Sequence, residues 1–249
     1  MTAEPKTRLH FSRFEFKYVL DARLREDVEA ELQHFVELDP WVAGQPENRY
    51  LVRSLYFDDR ELTAFHDKVD GMLTRTKFRL RTYSRDVDAP APWFLEIKGR
   101  HNNLVLKHRT PVSGEFDRRA SGHELSRLLL RHADAGPLRS EFEFQLFRRQ
   151  IEPIVLIDYV RRPYISKFDP EFRLTFDAGL TATETDTVFP DQTARRRDVM
   201  CGYTVMEVKF RHHVPSWFHR ILQAYELRRR SVSKICAGTE ALGLARDPS

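Results

Sequence analysis

Cysteine is nearly absent, with Cys201 and Cys236 the only two among 249 residues. Two thiols so far apart exclude a disulfide framework and a cysteine-rich zinc site, and a reducing, cytoplasmic compartment is expected. Also missing is any apolar run near the roughly 20 residues that a bilayer-spanning helix needs. Residues 1–9 are polar and lack the apolar core of a signal peptide. No membrane insertion by this chain is expected, so a membrane role would come through a membrane-protein partner. No fixed-period repeat or low-complexity segment occurs, which excludes solenoids and tethers. Nor does one sign of charge dominate: 41 Lys plus Arg stand against 37 Asp plus Glu, a net +4. That excess is too small for a protein that coats nucleic acid. The length fits one soluble domain with a real core, and its charges inform by where they fall.

They fall with period two. In 75–83, Arg75, Lys77, Arg79 and Arg81 alternate with Phe78 and Leu80, so a β-strand there has one purely cationic face. The pattern recurs. Residues 11–20 set Arg13, Glu15 and Lys17 against Phe14, Phe16 and Tyr18, and 93–98 set Glu96 and Lys98 against Leu95 and Ile97. Residues 104–110 put Val105, Lys107 and Arg109 on one side; 154–161 put Val155, Ile157, Tyr159 and Arg161 together; 172–178 share Arg173, Thr175 and Asp177; 204–210 share Val205, Glu207 and Lys209. A strand over 50–58 completes about eight, its parity left open by Arg53 and Asp58. Amphipathic helices are predicted over 21–38, 121–132 and 216–229, with shorter ones over 59–69 and 233–242; in 138–150 Phe142, Phe144 and Leu146 fit a strand and Leu138, Phe142 and Leu146 a helix, and length favours the helix. Residues 181–199, with Arg195–Arg197, read as a long exposed loop.

A row of like charges repels itself unless water, carboxylates or a polyanion offsets it. The expected fold is therefore α+β: a closed antiparallel eight-stranded β-barrel tunnel with flanking amphipathic helices and the charged faces inside. Its lining would be Arg13, Lys17, Arg75, Lys77, Arg79, Arg81, Lys98, Lys107, Arg109, Arg161, Arg173 and Lys209. Glu15, Glu96, Asp177 and Glu207 share that lining, which points to Mg²⁺ or Mn²⁺ beside phosphate, because these ions favour one or two carboxylates completed by water and phosphate oxygens. Exposed aromatics interleaved with cations are scarce, which argues against a groove for single-stranded nucleic acid.

The motifs Arg13-x-Glu15-x-Lys17, Arg53-x-x-Tyr56-x-Asp58, Lys77-x-Arg79-x-Arg81, Glu96-x-Lys98, Asp158-Tyr159-x-Arg161, Arg173-x-Thr175-x-Asp177, Glu207-x-Lys209 and Ser233-Lys234 occur in one order. In that order the chain resembles the VTC domain, the polyphosphate polymerase module of the vacuolar transporter chaperone complex within the triphosphate tunnel metalloenzymes, or CYTH-like proteins. The resemblance covers 8–240, leaving 1–7 and 241–249 as flexible termini. It implies transfer of the γ-phosphate of ATP to a growing polyphosphate chain, with triphosphate or polyphosphate as ligands. Position by position it makes Lys17, Arg79, Arg81, Lys98, Arg161 and Lys209 the catalytic cations, and Lys234 a phosphate ligand. Tyr159 and Ser233 become hydrogen-bond donors to the chain and Glu207 the metal ligand; the shared lining adds Arg75, Lys77, Lys107, Arg109 and Arg173 as further substrate contacts and Glu15 and Glu96 as further metal carboxylates.

Two departures matter. Arg13 stands where many tunnel hydrolases carry a glutamate, which favours phosphate binding over hydrolysis, and nothing here resembles the SPX sensor or the transmembrane segments of the eukaryotic complex. An inorganic triphosphatase and a non-catalytic polyphosphate binder are the alternative readings. The strand pattern also predicts that Arg79→Ala, by relieving repulsion along its strand, leaves the empty protein neutral or slightly more stable.

Overall fold

The structure, a computed structural model, describes residues 14–101 and 104–246, so Arg13 and the expected flexible segment 1–7 lie outside it. In chain order the elements are β1 (Phe14–Asp21), α1 (Ala22–Leu32), β2 (Val36–Leu38), β3 (Tyr50–Asp58), α2 (Thr63–Val69), β4 (Thr74–Thr82), β5 (Trp93–His101) and β6 (Leu104–Val112). There follow α3 (Gly122–His132), α4 (Pro137–Arg148), β7 (Glu152–Ser166), β8 (Arg173–Glu184), β9 (Arg196–Asp198), β10 (Tyr203–Phe210), α5 (Ser216–Ala224) and α6 (Lys234–Ala241). Eight strands form one antiparallel path, β1-β10-β8-β7-β3-β4-β5-β6, with β2 added to β7 and β9 to β8.

The apolar side of each strand faces outward onto helices. Leu55, Phe57, Phe78, Leu80, Trp93 and Leu95 pack with Leu125 and Leu129 of α3 and Phe142 of α4. On the opposite wall Tyr18, Leu20, Leu174, Phe176, Met206 and Val208 meet Val28 and Leu32 of α1 and Phe218 and Ile221 of α5. Each such side chain, fully buried, contributes about 1.5–3 kcal/mol, which drives the helices onto the sheet and turns the other face inward.

Part of the inner face is apolar too. Val52, Val155, Ile157, Leu180 and Ala182 form a third cluster with Ile235, Ala237 and Leu242 from α6 and the turn after it. Within β8 the parity changes: Asp177 pairs with Arg161, yet Ala182 pairs with Ile157, with a register shift between. Gly179 sits in this stretch at φ +61°, a left-handed conformation that favours glycine and marks a bulge. The bulge lets one strand present Arg173, Thr175 and Asp177 and then Leu180 and Ala182 to the same interior. The chain remains packed at Leu242, which is fully buried, two residues past the boundary expected at 240.

Several sequence expectations need correction. The helix over 21–38 stops at Leu32, because Val36–Leu38 pairs with 164–166 of β7. The supposed exposed loop 181–199 carries the end of β8, the strand β9, and the buried Val188 and Val199. The helix over 216–229 ends at Ala224. The closed barrel is not what the ladders show: among the described residues none joins β1 to β6. The sheet curls until these ends approach, and Lys98 Nζ on β5 reaches Glu15 Oε1 on β1 at 3.1 Å.

Candidate functional site

The curled sheet surrounds a cavity of about 1610 Å³ whose lining draws on all eight strands of the main path. Lys17, Arg75, Lys77, Arg79, Arg81, Lys98, Lys107, Tyr159, Arg161, Arg173, Lys209, Ser233 and Lys234 all line it, with Glu15 and Glu207. Arg109 does not; its guanidinium lies over the Phe94 ring, 4.6 Å from the centroid. Glu96 is absent from the lining as well, being 1% exposed beneath the arginines of β4.

Alternation explains these placements, and burial explains the pairing. Glu96 accepts from Arg79 Nε at 2.6 Å and lies 3.4 Å from Arg81 Nη1, while Arg79 also donates to Tyr56 Oη at 2.9 Å. Burial would raise the Glu96 carboxyl, but Arg79, Arg81 and Lys107 outweigh it and hold it down at about 2. On the facing wall Arg161 grips Asp177 through two bonds, Nε to Oδ1 at 2.6 Å and Nη2 to Oδ2 at 2.7 Å. Lys234 Nζ joins Asp177 at 2.7 Å and Glu207 at 2.6 Å. Burial alone would raise Glu207, yet Lys234, Lys17, Arg161 and Lys209 hold it well below the usual carboxylate range. These buried pairs are charge-assisted bonds that orient the cations rather than cancel them.

Glu15 Oε1 and Glu207 Oε1 each lie 3.4 Å from Lys17 Nζ, so two carboxylates converge on one part of the wall. That donor set, beside space for water and phosphate oxygens, fits Mg²⁺ or Mn²⁺. Glu96 belongs to a different part of the wall, so the expected three-carboxylate metal set does not assemble. Among the described residues no group of three His, Cys, Asp or Glu could hold a metal ion, and the remaining ligands would have to come from substrate and solvent.

Some lining cations escaped the sequence reading. Arg229 and Arg230 lie on the chain between α5 and α6, the first at the end of a helix predicted too long and the second just past it; the run Arg228-Arg229-Arg230 was the available signal. Tyr56 was quoted only as part of a motif, because the parity of β3 was open. Arg53 and Asp158, also motif residues, form a buried pair on the other face, at 2.9 and 2.7 Å, and Arg53 ties in the backbone at Val188. Their role is architectural.

The VTC domain family model matches residues 12–243. No curated protein sequence matches the chain. Among solved structures, a Bacillus halodurans protein named as a candidate adenylate cyclase is 14% identical, with 90% of this chain and 94% of that one covered and a TM-score of 0.54. A protein of Pyrococcus horikoshii OT3 is 11% identical over 93% of this chain and 99% of that one, with a TM-score of 0.45. The first shares the fold.

Proposed function

The chain belongs to the VTC domain family, and from that premise we propose that it is an ATP-dependent polyphosphate polymerase whose cavity holds the triphosphate of the nucleotide and the end of the growing chain. The observation that carries this reading is the cavity's charge arrangement: Lys17, Arg79, Arg81, Lys98, Arg161, Lys209 and Lys234 around its walls, oriented by buried and half-buried carboxylates. Phosphoryl transfer asks the protein chiefly to position an in-line nucleophile and to offset charge on the equatorial and leaving oxygens. Arginine forks suit bidentate phosphate contacts, and Arg79, Arg81 and Arg161 supply three. No covalent nucleophile is needed.

In the proposed step an oxygen of the chain's terminal phosphate attacks the γ-phosphorus. A new P–O–P linkage forms, the bond to the β,γ-bridging oxygen breaks, and ADP leaves with that electron pair. Glu207 and Glu15 would hold Mg²⁺ or Mn²⁺, which when bound supplies Lewis-acid charge beside the phosphates. Lys17, placed between the two carboxylates, and Lys209, 3.7 Å from Glu207 Oε2, would turn from carboxylate to phosphate oxygen as substrate enters. Burial of the cations in the wall excludes water from their far sides and strengthens each contact.

The test is incubation of the purified chain with Mn²⁺ and ATP and separation of products by size. A ladder of lengthening phosphate chains with matching ADP supports polymerisation. Orthophosphate without chains assigns a triphosphatase instead, and binding of polyphosphate without turnover assigns a non-catalytic binder.

A further inference from the structure

After α5 the chain runs from Tyr225 to Ser233 without regular structure before entering α6, and its position is fixed. Strand β1 has β10 along one edge. The backbone N–H of Arg230 donates to the carbonyl of Lys17 at 2.8 Å, and Lys17 Nζ donates back to the carbonyl of Val232 at 3.0 Å. Since β10 occupies the first edge, this strap lies along the other, where a closing ninth strand would sit. The Arg229 guanidinium is 4.2 Å from the Phe16 ring centroid.

Arg229 and Arg230 both line the cavity and are exposed. Among the described residues they share with Lys77 and Arg173 the lack of a carboxylate partner, which sets them apart from the paired cations of the wall. Arg79, Arg161, Lys17, Lys98, Lys209 and Lys234 each sit within 4.0 Å of a carboxylate, so a phosphate must share or displace that partner. Among the described residues neither strap arginine has a carboxylate within that distance, and the Arg230 side chain makes no hydrogen bond or ion pair there. A polyanion meeting Arg230 displaces only water and counterions, so no internal ion pair has to be given up, and the contact is sensitive to salt.

We propose that Arg230, on a strap steadied by Arg229 over Phe16, is a further phosphate-binding residue, and that the strap adds cavity-wall charge that no carboxylate has to release. This inference rests on the reading of the cavity as a triphosphate or polyphosphate site. It is specific to inorganic phosphate chains and nucleoside triphosphates, the polyanions that the enclosed strand cations would also hold.

The experiment is calorimetric titration of the full chain with inorganic tripolyphosphate across a salt series, with melting of the empty protein measured alongside. Parent, Arg230→Gln, Arg230→Lys and Arg229→Gln are compared. Arg230→Gln is expected to weaken binding about tenfold and to reduce the slope of log affinity against log salt by about one. Its empty-state melting should stay unchanged, and Arg230→Lys should recover most of the affinity. Binding within about twofold of the parent overturns the proposal. So does weaker binding with an unchanged salt slope and a lowered empty-state melting point, which would make Arg230 a structural residue. Failure of the parent to bind tripolyphosphate would instead sink the function proposed above, and this inference with it.

Discussion

At the scale of single residues, Arg79 shows what pairing does to a cationic strand. Alternation alone makes it one of four repelling charges, and its removal would then be harmless to the empty protein. The structure reverses that expectation, because Arg79 is the main partner of Glu96, whose side chain is 1% exposed. Arg79→Ala leaves that carboxylate with Arg81 at 3.4 Å and Lys107 at 3.9 Å, and should cost about 2–3 kcal/mol, somewhat less than breaking a fully isolated buried pair. Urea denaturation without ligand checks this. The same pair sets a pH dependence. The Glu96 carboxyl is held at about 2 against an ordinary 4.5, so the unfolded chain takes up its proton first. The stabilisation is complete above about pH 4.5 and is lost as pH falls through about 2, up to roughly 3 kcal/mol. In Arg79→Ala the acid limb of the urea midpoint profile should move to higher pH. Glu207→Gln belongs to the same scale. It removes a candidate metal ligand and frees Lys17, Arg161, Lys209 and Lys234, of which Arg161 and Lys234 keep Asp177 and Lys17 keeps Glu15. Turnover should vanish while tripolyphosphate binding is retained or tightened, as product analysis and calorimetry would show. Full turnover at saturating Mn²⁺ would move the metal role to Glu15.

At the scale of elements, α6 depends on one missing Cβ. A Cβ added at Gly238 would lie 2.5 Å from Ile157 Cδ1 and 3.0 Å from Ala182 Cβ, so the helix rests so close on the inner face of β7 and β8 that a methyl group would have to push the Ile157 tip and the Ala182 wall aside. Gly238→Ala should destabilise by about 1–3 kcal/mol and displace Ser233 and Lys234 from the cavity. Adding Ile157→Val, which deletes the clashing methyl, should recover part of both losses, measurable as a melting shift and as restored tripolyphosphate affinity. Nothing in the spacing of 233–242 shows where this helix lands, since an amphipathic pattern names a buried face without naming its partner. The strands were far more legible. β3 has the boundaries that its composition predicts, and β4, β5, β6 and β10 differ by a few residues at their ends, because period two is imposed locally by a sheet with one apolar face. What alternation could not reveal is the depth of each polar side chain along the wall. Glu96, Lys98, Glu207 and Lys209 look equivalent in sequence, yet Glu96 is sealed under two arginines while Lys98 reaches across the seam to Glu15. The bulge at Gly179 was equally hidden, although it decides which residues of β8 face the cavity.

At the scale of the whole molecule, a net charge of only +4 conceals a strongly asymmetric field. Most lining side chains that ionise are cations, and the carboxylates among and beneath them are already engaged. Filling the cavity should therefore stabilise the protein as a unit, since the ligand ties β1 and β10 to β4, β5 and β6 across the open seam. At about 100 times the dissociation constant a ligand that binds only the folded state adds about 2.7 kcal/mol, which for a chain of this size corresponds to a rise of roughly 5–10 °C in melting temperature. Tripolyphosphate and ATP should both produce it. Raising salt from about 0.05 to 0.5 M shortens the screening length to a few ångströms, which should weaken the effect without abolishing it, because the buried cations Arg79, Arg161 and Lys234 are poorly screened. A single-stranded oligonucleotide carries more charge than either ligand, but its bases cannot follow the phosphates into a space walled by eight strands, so it should give no comparable rise. Melting curves for the three ligands at low and high salt separate these cases. A shift produced equally by the oligonucleotide, and erased at high salt, would mean that an outer basic surface is responsible and that the cavity is not the site.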